Sequence, residues 1–236
     1  MDDMENIQET DRFQPVFVVG CPRSGTTLIG ELVAACPHVF NGKESFFLYL
    51  MSNWRRMLRP PVAPLTEQFL DRASELMRQL IISETNSRRK RCYIDHTPWH
   101  ALCLDEIWRI FETARVVNMV RHPADVVMSL RHSYEAGYAW AGATTGDRIA
   151  LWARFARATQ PREGDSRLRV IPYEEICTSP QREGRSLFSW LGLPWRDDYL
   201  QIFTKTHAPN PREPRAIAEK TRTVLSSAAI VANGAR

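Results

Sequence analysis

At 236 residues, 44% hydrophobic and 25% charged, the chain can bury one good core, which excludes a disordered or fibrous protein. Its net charge of +4, with an isoelectric point near 8.9, is too mild to demand a polyanionic partner. The dense run Arg88-Arg89-Lys90-Arg91 comes with no nucleic-acid-binding motif.

No apolar run is long enough to span a bilayer, and the acidic start MDDMENIQETD lacks the pattern of a signal peptide. Five cysteines without a CxxC pair fit reduced thiols. The expectation is therefore a cytoplasmic chain with no transmembrane segment and no nucleic-acid partner.

The first predicted element is a strand over 15–20, PVFVVG, an apolar run closed by glycine. A helix follows from near Ser24, with Leu28, Leu32 and Cys36 forming its apolar stripe. Between them, Gly20 and Gly25 let the backbone curl so that successive N–H groups converge, and the helix start adds its positive dipole end. Arg23, Ser24, Gly25, Thr26 and Thr27 are thus expected to hold an anion. In an ATP-binding loop a lysine follows the second glycine and grips the β- and γ-phosphates. Here Thr26 stands in that place and Arg23 supplies the fixed charge, so the loop suits a single phosphate group.

Next come a short strand at 38–40, then GKES with Glu44, then helical stretches near 44–58 and 65–84. The second carries Leu65, Phe69, Ala73, Leu76 and Leu80 at helical spacing. A strand at 92–95, CYID, leads to His96 and a helix over 99–111. Cys92, His96, His100 and Cys103 could line one helix face and bind zinc, but the strand and Pro98 interrupt that face. No metal site is expected there.

A strand at 115–120 ends at Arg121, and Pro123 suits the first turn of a helix over 123–136 that carries Ser129 in its second turn. After the aromatic loop 134–140 come a helix near 146–159, a strand at 168–172 ending before Tyr173, and a helix near 180–191. Strands alternating with helices predict an α/β fold, a three-layer α/β/α sandwich whose central parallel sheet binds ligands at its carboxyl ends. The domain is expected over 15–204, with a flexible N-terminus at 1–14 and a lid or tail at 205–236.

The stretch Cys21-Pro22-Arg23-Ser24-Gly25-Thr26-Thr27 resembles the 5′-phosphosulfate loop of sulfotransferases. These enzymes move a sulfuryl group from 3′-phosphoadenosine 5′-phosphosulfate (PAPS) to a hydroxyl or amine. Arg121 with Ser129 eight residues later is similar to the family's 3′-phosphate element, and Tyr173-Glu174-Glu175-Ile176 to the element whose tyrosine packs near the adenine. The resemblance implies P-loop nucleotide binding of PAPS, release of 3′,5′-adenosine bisphosphate, no metal, and a small-molecule, lipid or sugar acceptor. It implies Arg23 as the cation for the leaving group.

It also implies two candidate bases. Glu44 stands where one branch of the family keeps a catalytic glutamate, and His96 where the small-molecule branch keeps a histidine and the other branch a lysine. Two further readings stay open at this stage. One is a P-loop phosphotransferase with Asp95 as a magnesium ligand, and the other a non-catalytic nucleotide-binding scaffold.

Overall fold

In the computed structural model, residues 13–57, 64–162 and 164–206 are described. The expected flexible segment 1–14 and lid or tail 205–236 lie almost wholly outside them. The chain divides into a unit ending at Leu200 and a second beginning at Gln201. Of the second, the short helix Gln201–Thr206 is described.

The first unit is built on five strands: β1 (Gln14–Gly20), β2 (Val39–Asn41), β3 (Cys92–Asp95), β4 (Arg115–Val120) and β5 (Leu168–Pro172). They lie in the order β2-β3-β1-β4-β5, and every pairing is parallel. Parallel neighbours need crossover helices, and these cover both faces. The three-layer α/β/α architecture expected from the alternation is the one observed.

The central strand β1 is buried along nearly its whole length, as a strand covered on both faces must be. Phe17 and Val19 point into a core shared with Tyr93, Ile107, Val126, Leu130 and Phe155. Val16 and Val18, of opposite pleat and 0% exposed, face the other layer, where α1 (Thr26–Ala34) buries Leu28, Ile29, Leu32 and Val33.

The helices that follow are α2 (Phe47–Met57), α3 (Pro64–Ser87), α4 (Leu104–Ile110), α5 (Pro123–Glu135), α6 (Thr145–Thr159), α7 (Tyr173–Thr178) and α8 (Pro180–Leu191). Thr144 and Asp147 form a reciprocal capping box that starts α6. A 3₁₀ turn over Pro98–Cys103 replaces the first half of the helix expected at 99–111. Pro98 opens that turn, and a non-helical Cys103 (φ −144°, ψ 42°) separates it from α4.

Two departures matter for function. The helix expected from 44 begins at Phe47, because Phe46 adopts a left-handed φ of 57° that a helix cannot include. Glu44 therefore rides on a loop. The stripe Leu65, Phe69, Leu76 and Leu80 of α3 faces outward, at 76%, 52%, 59% and 50% exposure, while Leu70, Ser74 and Thr85 form the packed side.

Candidate active site

The loop expected to hold an anion begins where β1 meets β4. A Cβ on Gly20, whose φ is +146°, would lie 2.4 Å from the carbonyl oxygen of Met119, so only glycine lets the loop leave the sheet there. Arg23 (φ 76°) and Gly25 (φ 94°) are both left-handed. With the Ser24 N–H donating to the Cys21 carbonyl at 3.0 Å, they curl residues 21–25 into a concavity. Thr26 and Thr27 open α1 at its rim, where first-turn N–H groups have no intrahelical acceptor. The Ser24 Oγ is buried without a hydrogen-bond partner among the described residues.

Three distant elements deliver side chains to this loop. Tyr173 opens α7 directly after β5 and lies so close to Gly25 that a Cβ there would meet its ring at 2.5 Å. The Arg121 guanidinium stacks 4.4 Å over the Tyr173 ring, and its Nη1 donates to the Arg23 carbonyl at 3.2 Å. Its Nε is buried without a partner among the described residues. From α5, the Ser129 Oγ accepts from the Arg23 Nε at 3.0 Å. Glu174 accepts from the His122 N–H at 2.9 Å and fastens the end of β4 to α7. Arg23, Ser24, Gly25, Thr26, Thr27, Arg121, Ser129 and Tyr173 thus gather at the carboxyl ends of β1, β4 and β5, where such sheets bind ligands.

Glu44 and His96 meet beside β3. The Gly42 N–H donates to the Ile94 carbonyl at 2.8 Å and the His96 N–H to the Lys43 carbonyl at 3.0 Å, which holds loop 42–46 along the strand's end. The imidazole Nδ1 is 3.9 Å from the Glu44 carboxylate and its Nε2 3.6 Å from that of Glu31. Neither nitrogen has a hydrogen-bond partner among the described residues. Burial depresses the His96 pKa, with the Glu31 and Asp95 charges pulling the other way. Burial raises that of Glu44, helped by the Asp95 charge and opposed by Arg23. Glu44 keeps 37% of its side chain exposed against 4% for His96, so it is Glu44 that an entering molecule can reach.

Three supporting residues carry weaker sequence signals. Gly30 makes room for the imidazole, since a Cβ there would lie 2.4–2.7 Å from His96 side-chain atoms; an isolated glycine inside a helical pattern was its only mark. Glu31 holds Lys43 at 2.6 Å and Asn41 at 3.2 Å beside the histidine, and nothing in its spacing distinguishes it from a solvated helix residue. Asp95 accepts from Ser45 Oγ at 2.5 Å, the Thr97 N–H at 2.8 Å and Tyr93 Oη at 3.4 Å, with His100 Nδ1 3.4 Å away. Both its oxygens are engaged by protein donors, an organising role rather than that of an open magnesium ligand.

The sequence profile of the sulfotransferase family matches residues 15–197. This chain belongs to the sulfotransferase family. Among its relatives, protein-tyrosine sulfotransferase 1 of Danio rerio is 28% identical over 198 residues, covering 78% of this chain and 55% of that protein. Protein-tyrosine sulfotransferase 2 of Gallus gallus is 26% identical over 199 residues, covering 78% and 53%. The chain therefore spans about half the length of these relatives. In fold, it is similar to the sulfotransferase domain from the Synechococcus PCC 7002 olefin synthase, with a TM-score of 0.61 and 18% identity over 89% of this chain and 84% of that one.

Proposed function

We propose that this sulfotransferase moves the sulfuryl group of PAPS to a hydroxyl, or an amine, of a small-molecule, lipid or sugar acceptor. The observation that carries the reading is the convergence of Arg23, Arg121, Ser129 and Tyr173 on one loop. Two anion-binding positions in one crevice suit a nucleotide phosphorylated at both its 5′ and 3′ positions. The buried, unpartnered Ser24 Oγ and Arg121 Nε fit that ligand, because polar atoms buried without partners are costly unless a ligand completes them.

The loop N–H groups with Ser24, Thr26 and Thr27 would hold the 5′-phosphate, Arg121 and Ser129 the 3′-phosphate, and Tyr173 would border the base. When bound, PAPS supplies the activated sulfuryl group and a bisphosphorylated leaving group. Arg23 would supply positive charge to the bridging oxygen as negative charge develops there. Glu44, with its raised pKa, receives the acceptor proton as the new bond forms. His96, neutral near pH 7 because burial depresses its pKa, carries one ring N–H to offer to a reacting oxygen. We assign no metal to this chemistry, since Asp95 is already engaged by protein donors.

The acceptor would enter past Tyr49 and Trp99, whose rings lie 5.4 Å apart, and past Trp140, 6.3 Å from Trp99. Such rings can stack on a flat or sugar-like acceptor. The names of the relatives make a phenolic hydroxyl one member of the acceptor screen. No helix among the described residues is long and apolar enough to cross a membrane. The cytoplasmic assignment rests on the thiols, all five cysteines being unpaired and four of them buried. The test is label transfer from sulfur-labelled PAPS to an acceptor panel in EDTA. Transfer supports the reading; phosphate transfer from ATP that EDTA abolishes would replace it with a kinase.

A further inference from the structure

Glu44 sits in the middle of loop 42–46, and the two halves of that loop are held differently. In the first half the backbone of Gly42 and Lys43 pairs with Ile94 and His96. In the second half the contacts with the end of β3 are made by side chains. The Ser45 Oγ donates to the Asp95 Oδ2 at 2.5 Å, and the Phe46 N–H donates to the Thr97 Oγ1 at 3.2 Å. The Thr97 N–H in turn donates to the Asp95 Oδ1 at 2.8 Å. One carboxylate thus closes a circuit through Ser45, Phe46 and Thr97.

The loop needs such an anchor. Lys43 (φ 60°) and Phe46 (φ 57°), on either side of Glu44, are both left-handed, a conformation that residues other than glycine adopt sparingly and keep only where their surroundings over-determine it. The anchor is itself fixed. Asp95 and Thr97 are buried, and the Tyr93 Oη and the His100 Nδ1, each 3.4 Å from the Asp95 carboxylate, back it from within the core. Glu44, by contrast, is the group that an entering molecule reaches.

We infer that Asp95 is a positioning residue for sulfuryl transfer, holding the Glu44 carboxylate in place for the acceptor proton through Ser45 and Thr97. The inference rests on the reading of Glu44 as the base. Asp95 acts through its neighbours and not on the acceptor. Ser45 has a structural contact as well: its Oγ accepts from the Phe47 N–H at 3.3 Å and supports the start of α2. The two roles differ in what they change. Loss of the helix contact lowers the melting temperature, whereas loss of the clamp lowers kcat, and does so only while Glu44 is there to be misplaced.

Steady-state kinetics and amide hydrogen exchange on the full chain test this together. Ser45→Ala, at an exposed position, should lower kcat about tenfold to a hundredfold with the donor KM within about twofold of the parent, and Ser45→Thr should restore most of the loss. Asp95→Asn, which replaces a charge-assisted acceptor with a neutral amide, should lower kcat about tenfold, and the two changes together should cost little more than Ser45→Ala alone. In a Glu44→Gln background Ser45→Ala should cost less than about threefold. Exchange at the Phe46 amide should quicken at least about tenfold in Ser45→Ala, while that at Gly42, paired with Ile94, stays as it was. The exchange measurement needs no turnover: a parent that transfers nothing from PAPS would count against the donor reading, and Phe46 exchange would still decide the clamp. An unchanged kcat or unchanged Phe46 exchange in Ser45→Ala, or a kcat loss that persists in full beside Glu44→Gln, would overturn the inference.

Discussion

The Nε of Arg23 donates to the Oγ of Ser129 at 3.0 Å, tying the phosphate loop to the helix that follows the neighbouring strand. The carbonyl of the same Arg23 accepts from Arg121 at 3.2 Å. The groups assigned to the two ends of the nucleotide are thus one hydrogen-bonded chain. Its members should show coupled, non-additive effects when they are changed together.

Arg23→Ala should lower kcat more than it weakens donor binding. Charge on the bridging oxygen grows mainly in the transition state, and a cation placed there contributes little to the ground state. Steady-state kinetics with PAPS as the varied substrate checks this. An unchanged kcat with a raised KM for the donor would make Arg23 a simple binding residue.

The proposed roles divide the proton work between Glu44 and His96 unequally. The carboxylate is the reachable partner and the imidazole the buried one. Glu44→Gln should therefore cost about 10²-fold or more in kcat with donor binding intact, whereas His96→Lys should keep measurable activity. Activity in Glu44→Gln together with a dead His96→Lys would reassign the base to His96.

Gly30→Ala should damage a site that Gly30 never touches chemically. The new methyl carbon would stand 2.4–2.7 Å from His96 side-chain atoms, and that ring is wedged in the core at 3% exposure. Overpacking of this kind costs about 1–3 kcal/mol, which thermal denaturation would show, and the displaced ring should lower kcat as well. Combining it with His96→Ala should cost clearly less stability than the two single changes added together.

Acid should destabilise the fold through its buried histidines. Burial depresses the pKa of both His96 and His100 below the ordinary 6.5. Between each folded value and 6.5 the unfolded chain binds more protons than the native one, so stability rises with pH across that window and levels off above 6.5. Glu44, with its pKa raised above 4.5, acts in the opposite sense at lower pH but is partly solvated, which weakens its contribution. Urea midpoints should therefore fall between pH 7.5 and pH 5.5, and His96→Gln should flatten that fall. A midpoint independent of pH over this range would show that the two rings do not remain neutral in the folded protein.

Much of this was legible in the residues. Gly20 and Gly25 announced a loop whose geometry nothing but glycine satisfies, and Arg121 and Ser129 were placed by a strand end and a helical turn of known length. The start of α2 was not legible. It depends on the left-handed Phe46, a conformation imposed by the pairing of loop 42–46 with β3 rather than by anything phenylalanine prefers. The α3 stripe was read correctly as helical, but periodicity reports which residues share a face and not what that face meets. The supporting role of Gly30 arises from its close approach to His96 on a different element, which no local pattern encodes.

The most direct test of the account is calorimetric titration of the protein with 3′,5′-adenosine bisphosphate and with 5′-AMP, because it needs no knowledge of the acceptor. A charge-assisted contact of the Arg121 kind is worth on the order of 2 kcal/mol. The bisphosphate should therefore bind at least about tenfold more tightly than the monophosphate, and Arg121→Ala should erase most of that preference. Equal affinity for the two nucleotides in the parent protein would contradict the assignment of Arg121 and Ser129, and with it the reading of this crevice as a PAPS site.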